Sequence, residues 1–142
     1  MIVMECIFCD IVKKRSKAEI LFEDDSIISF LDINPFNVGH SLVIPKTHYE
    51  NFLELPPDLF GGILSVVQRL AIGVINGLQA DGYNILSNNG RAAGQSVFHC
   101  HFHLIPRFNT DGYKFKMDLK KYGNGEMNMI AEKIKSAINN LA

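Results

Sequence analysis

The sequence predicts an α+β fold: an antiparallel five-stranded sheet with a long central helix and a C-terminal helix. Three observations predict it. β-branched and aromatic runs are broken by turn residues, one long stretch repeats its apolar residues at helical spacing, and a second such stretch lies near the C-terminus.

Taken in order, "IFCDIVKKR" reads as a short N-terminal helix. "AEILFED" and "SIISFLDI" are strand-like runs that turn at Asp24–Asp25, a hairpin. "PFNVGH" is turn-like, and "SLVIP" is a third strand ended by Pro45. Pro56, Pro57 and Asp58 open the long helix. Its Leu59, Ile63, Val66, Val67, Leu70, Val74 and Leu78 recur at helical spacing until Asp81–Gly82 stops the run. Interior Gly61, Gly62 and Gly73 each weaken a helix by about 1 kcal/mol relative to Ala, so packing must hold it. "YNILS" is a fourth strand, "NNGRAAG" a glycine-bearing loop, and "SVFHCHFHLI" a fifth strand. A lysine-rich stretch, "YKFKMDLKKYG", leads to the last helix, which carries Met127, Ile130, Ile134, Ile138 and Leu141 on one stripe.

The chain has 142 residues, enough for one domain with an apolar core. No repeat or linker divides it, so a single domain over 1–142 is expected, with a core at about 5–108 and an extension with a helix at about 109–142. A net charge of -1 argues against a protein held to nucleic acid or lipid headgroups by a positive field. No apolar run approaches the roughly 20 residues of a membrane span, and "MIVMECIFCD" has no basic region typical of a secretory signal. A cytoplasmic protein is the expectation. The lysine-rich tail reads as a solvated face rather than a partner contact.

"HCHFH" places His99, His101 and His103 at every second position. In a strand they share one face, about 7 Å apart, while Cys100, Phe102 and Leu104 face the core. One histidine there reads as a satisfied core group; three beside a Gly-Gln-Ser loop read as chemistry. They could jointly hold a catalytic zinc with an open position. Alternatively one neutral imidazole is a nucleophile while the others orient it and bind substrate charge. The preceding loop offers backbone N–H groups near Gly94, Gln95 and Ser96, with the Ser96 hydroxyl and Asn88 amide, a donor set suited to a phosphate.

At this point the sequence resembles the histidine triad (HIT) family, whose signature of His-x-His-x-His and two apolar residues is matched by "HCHFHLI". The resemblance extends over "CIFCDIV", "LFEDDSIISFLDINPFNVGHSLVIPKTH" and "NILSNNGRAAGQSVFHCHFHLIPR". It implies a HIT-like fold and a hydrolase or nucleotidyl transferase that cleaves at the α-phosphate of a nucleoside phosphoramidate, dinucleoside polyphosphate or related adenylate. His101 falls at the nucleophile position, and a nucleotidyl-histidine would be hydrolysed by water. His103 would contact the phosphate with Asn88, Gln95 and Ser96, and His40 would close the hydrogen-bond network. Asp32 falls where the family accepts the ribose hydroxyls, and Ile7, Phe8, Phe30 and Ile33 where it lines the base pocket. The resemblance also implies a homodimer and a purine nucleotide partner, most naturally an adenosine derivative. No nucleic acid or membrane partner is expected.

Cys6 and Cys9 make half of a zinc site. The family's zinc-bearing branch completes it with residues that match His48 and His99, so the resemblance implies a structural zinc and no catalytic metal. Cys100 points to the opposite face. Pro106–Arg107 and the long tail depart from the phosphoramidase branch, which often ends its triad strand with glycines; Arg91 and two alanines in the loop leave its outer contacts open, and the motif does not choose the leaving group. Two rivals stand beside this reading: a metal-dependent hydrolase using all three triad histidines as ligands, and a non-catalytic nucleotide-binding module.

Overall fold

The computed structural model describes residues 5–141. The chain forms two compact units, residues 1–112 and 113–142. In the first, α1 (Ile7–Val12) precedes β1 (Ile20–Glu23), β2 (Ile27–Leu31) and β3 (Ser41–Pro45). Then come α2 (Pro57–Leu78), β4 (Gly82–Leu86) and β5 (Phe102–Arg107). The strands form one antiparallel sheet in the order β1-β2-β3-β5-β4.

Asp24 makes the first hairpin. Its Oδ1 accepts the backbone N–H groups of Ser26 and Ile27 at 2.8 and 2.7 Å, a side-chain substitute for a backbone turn. Alternation along β2 and β3 then sorts the core onto two faces. Ile27 and Val43 join Ile63, Val66 and Val67 of α2, while Ile28, Phe30, Leu42 and Ile44 join Phe8 and Ile11 of α1. The sheet is therefore buried on both sides, with α2 on one face and α1 on the other.

Pro57 occupies the first turn of α2, where its missing N–H costs nothing. By length and composition α2 is the one helix among the described residues apolar enough to cross a membrane, whereas the sequence reading found no run approaching a span. Its stripe of Ile63, Val66, Val67, Ala71 and Val74 is spent on the sheet instead. The helix ends at Leu78, earlier than the Asp81–Gly82 stop expected from sequence. Gln79 adopts the left-handed conformation (φ 53°) and turns the chain, so Gly82 becomes the first residue of β4.

A larger correction concerns the fifth strand. It begins at Phe102, so His99, Cys100 and His101 precede it rather than lying on it. The Cys100 N–H donates to Tyr49 O at 2.6 Å, outside the sheet ladder, and the backbone bends there. In the second unit, α3 (Glu126–Asn139) follows an irregular, exposed segment. Met127, Ile134 and Ile138 of its apolar stripe remain exposed; Leu141, expected on the same stripe, lies beyond the helix end and is exposed as well.

Candidate active site

The bend ahead of β5 draws the triad together. The His101 and His103 ring centroids are 4.8 Å apart, closer than the roughly 7 Å of a regular strand face. All three triad histidines and His40 are buried. Cys100 faces the α2 side and joins its core, as the alternation requires.

Hydrogen-bond partners fix the state of each ring. The Phe36 N–H donates to His40 Nδ1 at 3.1 Å, so in the neutral ring the proton sits on Nε2. That Nε2–H donates to His103 Nδ1 at 2.9 Å. His103 must then carry its own proton on Nε2, a buried donor with no partner among the described residues. His101 is set the opposite way. Its Nδ1–H donates to the His99 carbonyl at 2.6 Å, leaving the Nε2 lone pair free. Two separate hydrogen-bond paths thus leave an N–H on His103 and an open lone pair on His101 side by side.

Burial keeps these rings neutral. It draws His103 down to about 4, with His101 and His40 adding to the effect and Asp32 opposing it. His101 and His40 are also lowered, chiefly by burial, and Asp32 again acts against the shift. The Asp32 Oδ2 lies 3.8 Å from His40 Nε2, while its Oδ1 accepts the Asn34 N–H at 2.8 Å.

His101 and His103 open on a cavity of about 400 Å³. Asp32, Asn88, Ser96, Ile7, Phe8, Phe30 and Ile33 all line it, Ile33 from a largely exposed position at the rim. Phe8 ties the wall to the chemistry: its ring meets Phe30 edge-on at 5.6 Å and His101 at 5.1 Å. The size suits one nucleotide-sized ligand, and the lining combines apolar side chains such as Ile7, Phe8 and Phe30 with polar ones such as Asp32, Asn88 and Ser96.

Gln95 stands apart from the other residues expected at a phosphate. It is not on the cavity wall, and its amide is consumed internally. Oε1 accepts the Gly90 N–H at 2.8 Å, and Nε2 donates to Glu50 O at 2.7 Å and Val97 O at 3.2 Å. These bonds brace the loop that carries Ser96. Gly90 and Gly94 supply the positive φ (both 85°) that this tight loop needs.

Sequence reasoning missed Ile11, Phe36 and Lys17. Ile11 shares a face of α1 with Ile7 and Phe8, so helical spacing could have found it. Phe36 stacks on His40 at 5.3 Å (interplanar angle 16°), but within "PFNVGH" it carried only a turn signal.

On the other side of His101, Cys6, Cys9, His48 and His99 converge, their candidate ligand atoms all within 4.8 Å of one another. His99 Nδ1 is 3.5 Å from Cys6 Sγ, 3.6 Å from Cys9 Sγ and 3.2 Å from His48 Nδ1. Cys9 Sγ is 3.4 Å from His48 Nδ1. A tetrahedral zinc with sulfur at ~2.3 Å and nitrogen at ~2.0–2.1 Å separates its ligands by about 3.3–3.8 Å. The His99 Nε2–H donates to Pro45 O at 2.8 Å, which turns the Nδ1 lone pair toward the thiols as a ligand requires. The donor set fits a structural zinc. The three triad imidazoles, by contrast, do not converge on one point: His99 faces the cysteines, His103 faces His40, and His101 Nδ1 is held by backbone.

An antiparallel sheet buried on both faces, with two of three alternating histidines, His101 and His103, opening on a nucleotide-sized cavity, is the arrangement of the histidine triad class. The chain belongs to the HIT family: the model of the HIT domain matches residues 13–110. A HIT-like protein of Methanocaldococcus jannaschii is 45% identical over 130 residues, covering 92% of this chain and 98% of that protein. An adenosine 5'-monophosphoramidase of Candida albicans is 43% identical, covering 72% and 70% respectively. The crystal structure of a zinc-bound histidine triad protein from Mycobacterium smegmatis superposes with a TM-score of 0.74 at 41% identity, covering 94% of this chain and 98% of that one.

Proposed function

We propose that this protein cleaves the bond between the α-phosphorus of a nucleoside 5'-phosphate derivative and its leaving group, through a nucleotidyl intermediate on His101. The observation that carries the reading is the opposed setting of the two imidazoles. His101 Nδ1–H is committed to the His99 carbonyl, so the Nε2 lone pair is available for attack. His103 offers an N–H that has no partner among the described residues, where a phosphoryl oxygen would sit.

In the first step His101 Nε2 forms a bond to phosphorus, and the bond to the leaving group breaks with its electron pair. The imidazolium so formed keeps its Nδ1 proton on the His99 carbonyl, which stabilises the charge. Water then attacks phosphorus and releases the nucleotide and neutral His101, giving up one proton. Dividing one displacement into two is the advantage of covalent catalysis. Asp32 would accept the ribose hydroxyls, and Phe8 and Phe30 would hold a purine. The phosphoramidase activity named for the Candida relative supports phosphoramidates as one substrate class; dinucleoside polyphosphates and adenylates are the others.

The same reading gives Cys6, Cys9, His48 and His99 to a structural zinc that pins α1 to the triad. That ion supplies rigidity and leaves the chemistry to His101. It also assigns a homodimer built on the edge strand β4, whose Tyr83 and Ile85 are exposed, and a reducing cytoplasmic location. Gel filtration of a monomer at micromolar concentration would sink the dimer.

The test is intact-protein mass spectrometry after rapid quenching with adenosine 5'-phosphoramidate. An adenylyl adduct on wild type and none on His101→Asn supports the reading. Absence of the adduct, with turnover unimpaired in the variant, overturns it.

A further inference from the structure

Phe36 is a large apolar side chain that the core does not claim: it is 64% exposed, on the loop between β2 and β3. A phenyl ring left so exposed gains little from its own burial, so its worth lies in what it covers. The ring stacks on His40 at 5.3 Å and 16°, and His40 beneath it is 1% exposed. The loop is clamped where this contact is made. Asn37 Nδ2 donates to Pro106 O and to Asp111 Oδ2, both at 3.1 Å, and Arg107 Nε donates to the same Asp111 oxygen at 2.9 Å. Phe36 thus meets His40 twice, through its backbone N–H on Nδ1 and through its ring on the imidazole face.

The path from Phe36 through His40 to His103 needs a neutral His40. A charged imidazole carries N–H on both nitrogens, so its Nδ1 would point a donor at the Phe36 N–H. Three titratable groups bear on the ring. Asp32, with Oδ2 at 3.8 Å, favours the charged form, His101 opposes it, and His103 Nδ1 takes the Nε2–H. Burial outweighs Asp32 and holds His40 below the usual imidazole range. We infer that Phe36 is a positioning residue of the reaction: its ring seals His40 from water and holds the imidazole plane, so that Nε2–H stays on His103 and His103 keeps its own Nε2–H for the phosphoryl group. The inference rests on the nucleotide reading of the site.

Phe36→Ala keeps the backbone N–H and removes only the ring, and Phe36→Tyr restores a ring; both full-length variants are checked for folding by circular dichroism. Turnover of adenosine 5'-phosphoramidate gives kcat and KM as a function of pH, and NMR follows the titration of His40 in the free protein. Phe36→Ala lowers kcat about two- to ten-fold, the range that a lost aromatic pair converts to, with KM within about two-fold. Its His40 midpoint and the acid limb of kcat both move to higher pH, because water reaches a ring that Asp32 favours in the charged form. Phe36→Tyr stays close to wild type in each readout. A raised KM with kcat held makes the ring a wall of the ligand pocket and overturns the inference; a His40 midpoint that does not move in Phe36→Ala overturns it as well. In both cases turnover by wild type leaves the nucleotide reading standing. No turnover by wild type overturns that reading and the inference with it.

Discussion

Acid destabilises this fold through His103, by an amount the structure sets. Burial holds the His103 pKa at about 4 in the folded chain, against about 6.5 unfolded. The unfolded state therefore binds the proton first. The stability linked to His103 is complete above about pH 6.5 and drains away as the pH falls toward 4. Between pH 7 and pH 5 the linkage amounts to about 2 kcal/mol, because at pH 5 the unfolded imidazole is almost fully charged and the folded one almost fully neutral. In His103→Asn the His40 Nε2–H can still donate, to the new carbonyl oxygen, but the titrating group is gone. Urea unfolding of both proteins at both pH values isolates the effect, since changes shared by the two, including any loss of metal, cancel in the difference. Wild type should lose about 2 kcal/mol more than the variant between pH 7 and pH 5. An equal loss, or an NMR titration of His103 with its midpoint near 6.5, would refute the reasoning.

Two further outcomes follow from the geometry around the site. Gly39 has φ of 84°, and a Cβ there would lie 2.4 Å from Leu78 Cδ1. Gly39→Ala should therefore cost about 2 kcal/mol and lower Tm by several degrees; a melting curve by circular dichroism that moves by less than a degree contradicts this. Cys9→Ser removes one corner of the Cys6, Cys9, His48, His99 cluster, and atomic absorption should show zinc falling well below one equivalent. Retention of a full equivalent would return the ion to the triad histidines.

Much of this architecture is legible in the residues themselves. Asp24 turns the first hairpin with its own carboxylate, and "SLVIP" is β3 to the residue. Pro57 opens α2 where helix chemistry allows a proline. The failures are tertiary. Nothing local in "SVFHCH" reports that Tyr49 O, from a distant loop, will take the Cys100 N–H and pull His99 and His101 out of the strand. Gln95 carries a ligand-like side chain next to Ser96, yet its amide is bonded to Gly90, Glu50 and Val97. Alternation survived where regular pairing did not: Cys100 still faces α2, while His101 and His103 face the cavity and His99 the cysteine cluster. Side-chain period is a weaker demand than a hydrogen-bonded ladder, so it persists through the bend.

The central claim is nucleophilic catalysis by His101, and one measurement addresses it most directly. Release of nucleoside monophosphate from adenosine and guanosine 5'-phosphoramidates would be followed with EDTA present, for wild type and for folded His101→Asn. The account predicts turnover by wild type that persists in EDTA and falls by roughly a thousand-fold or more in the variant. Turnover that survives the substitution would contradict it.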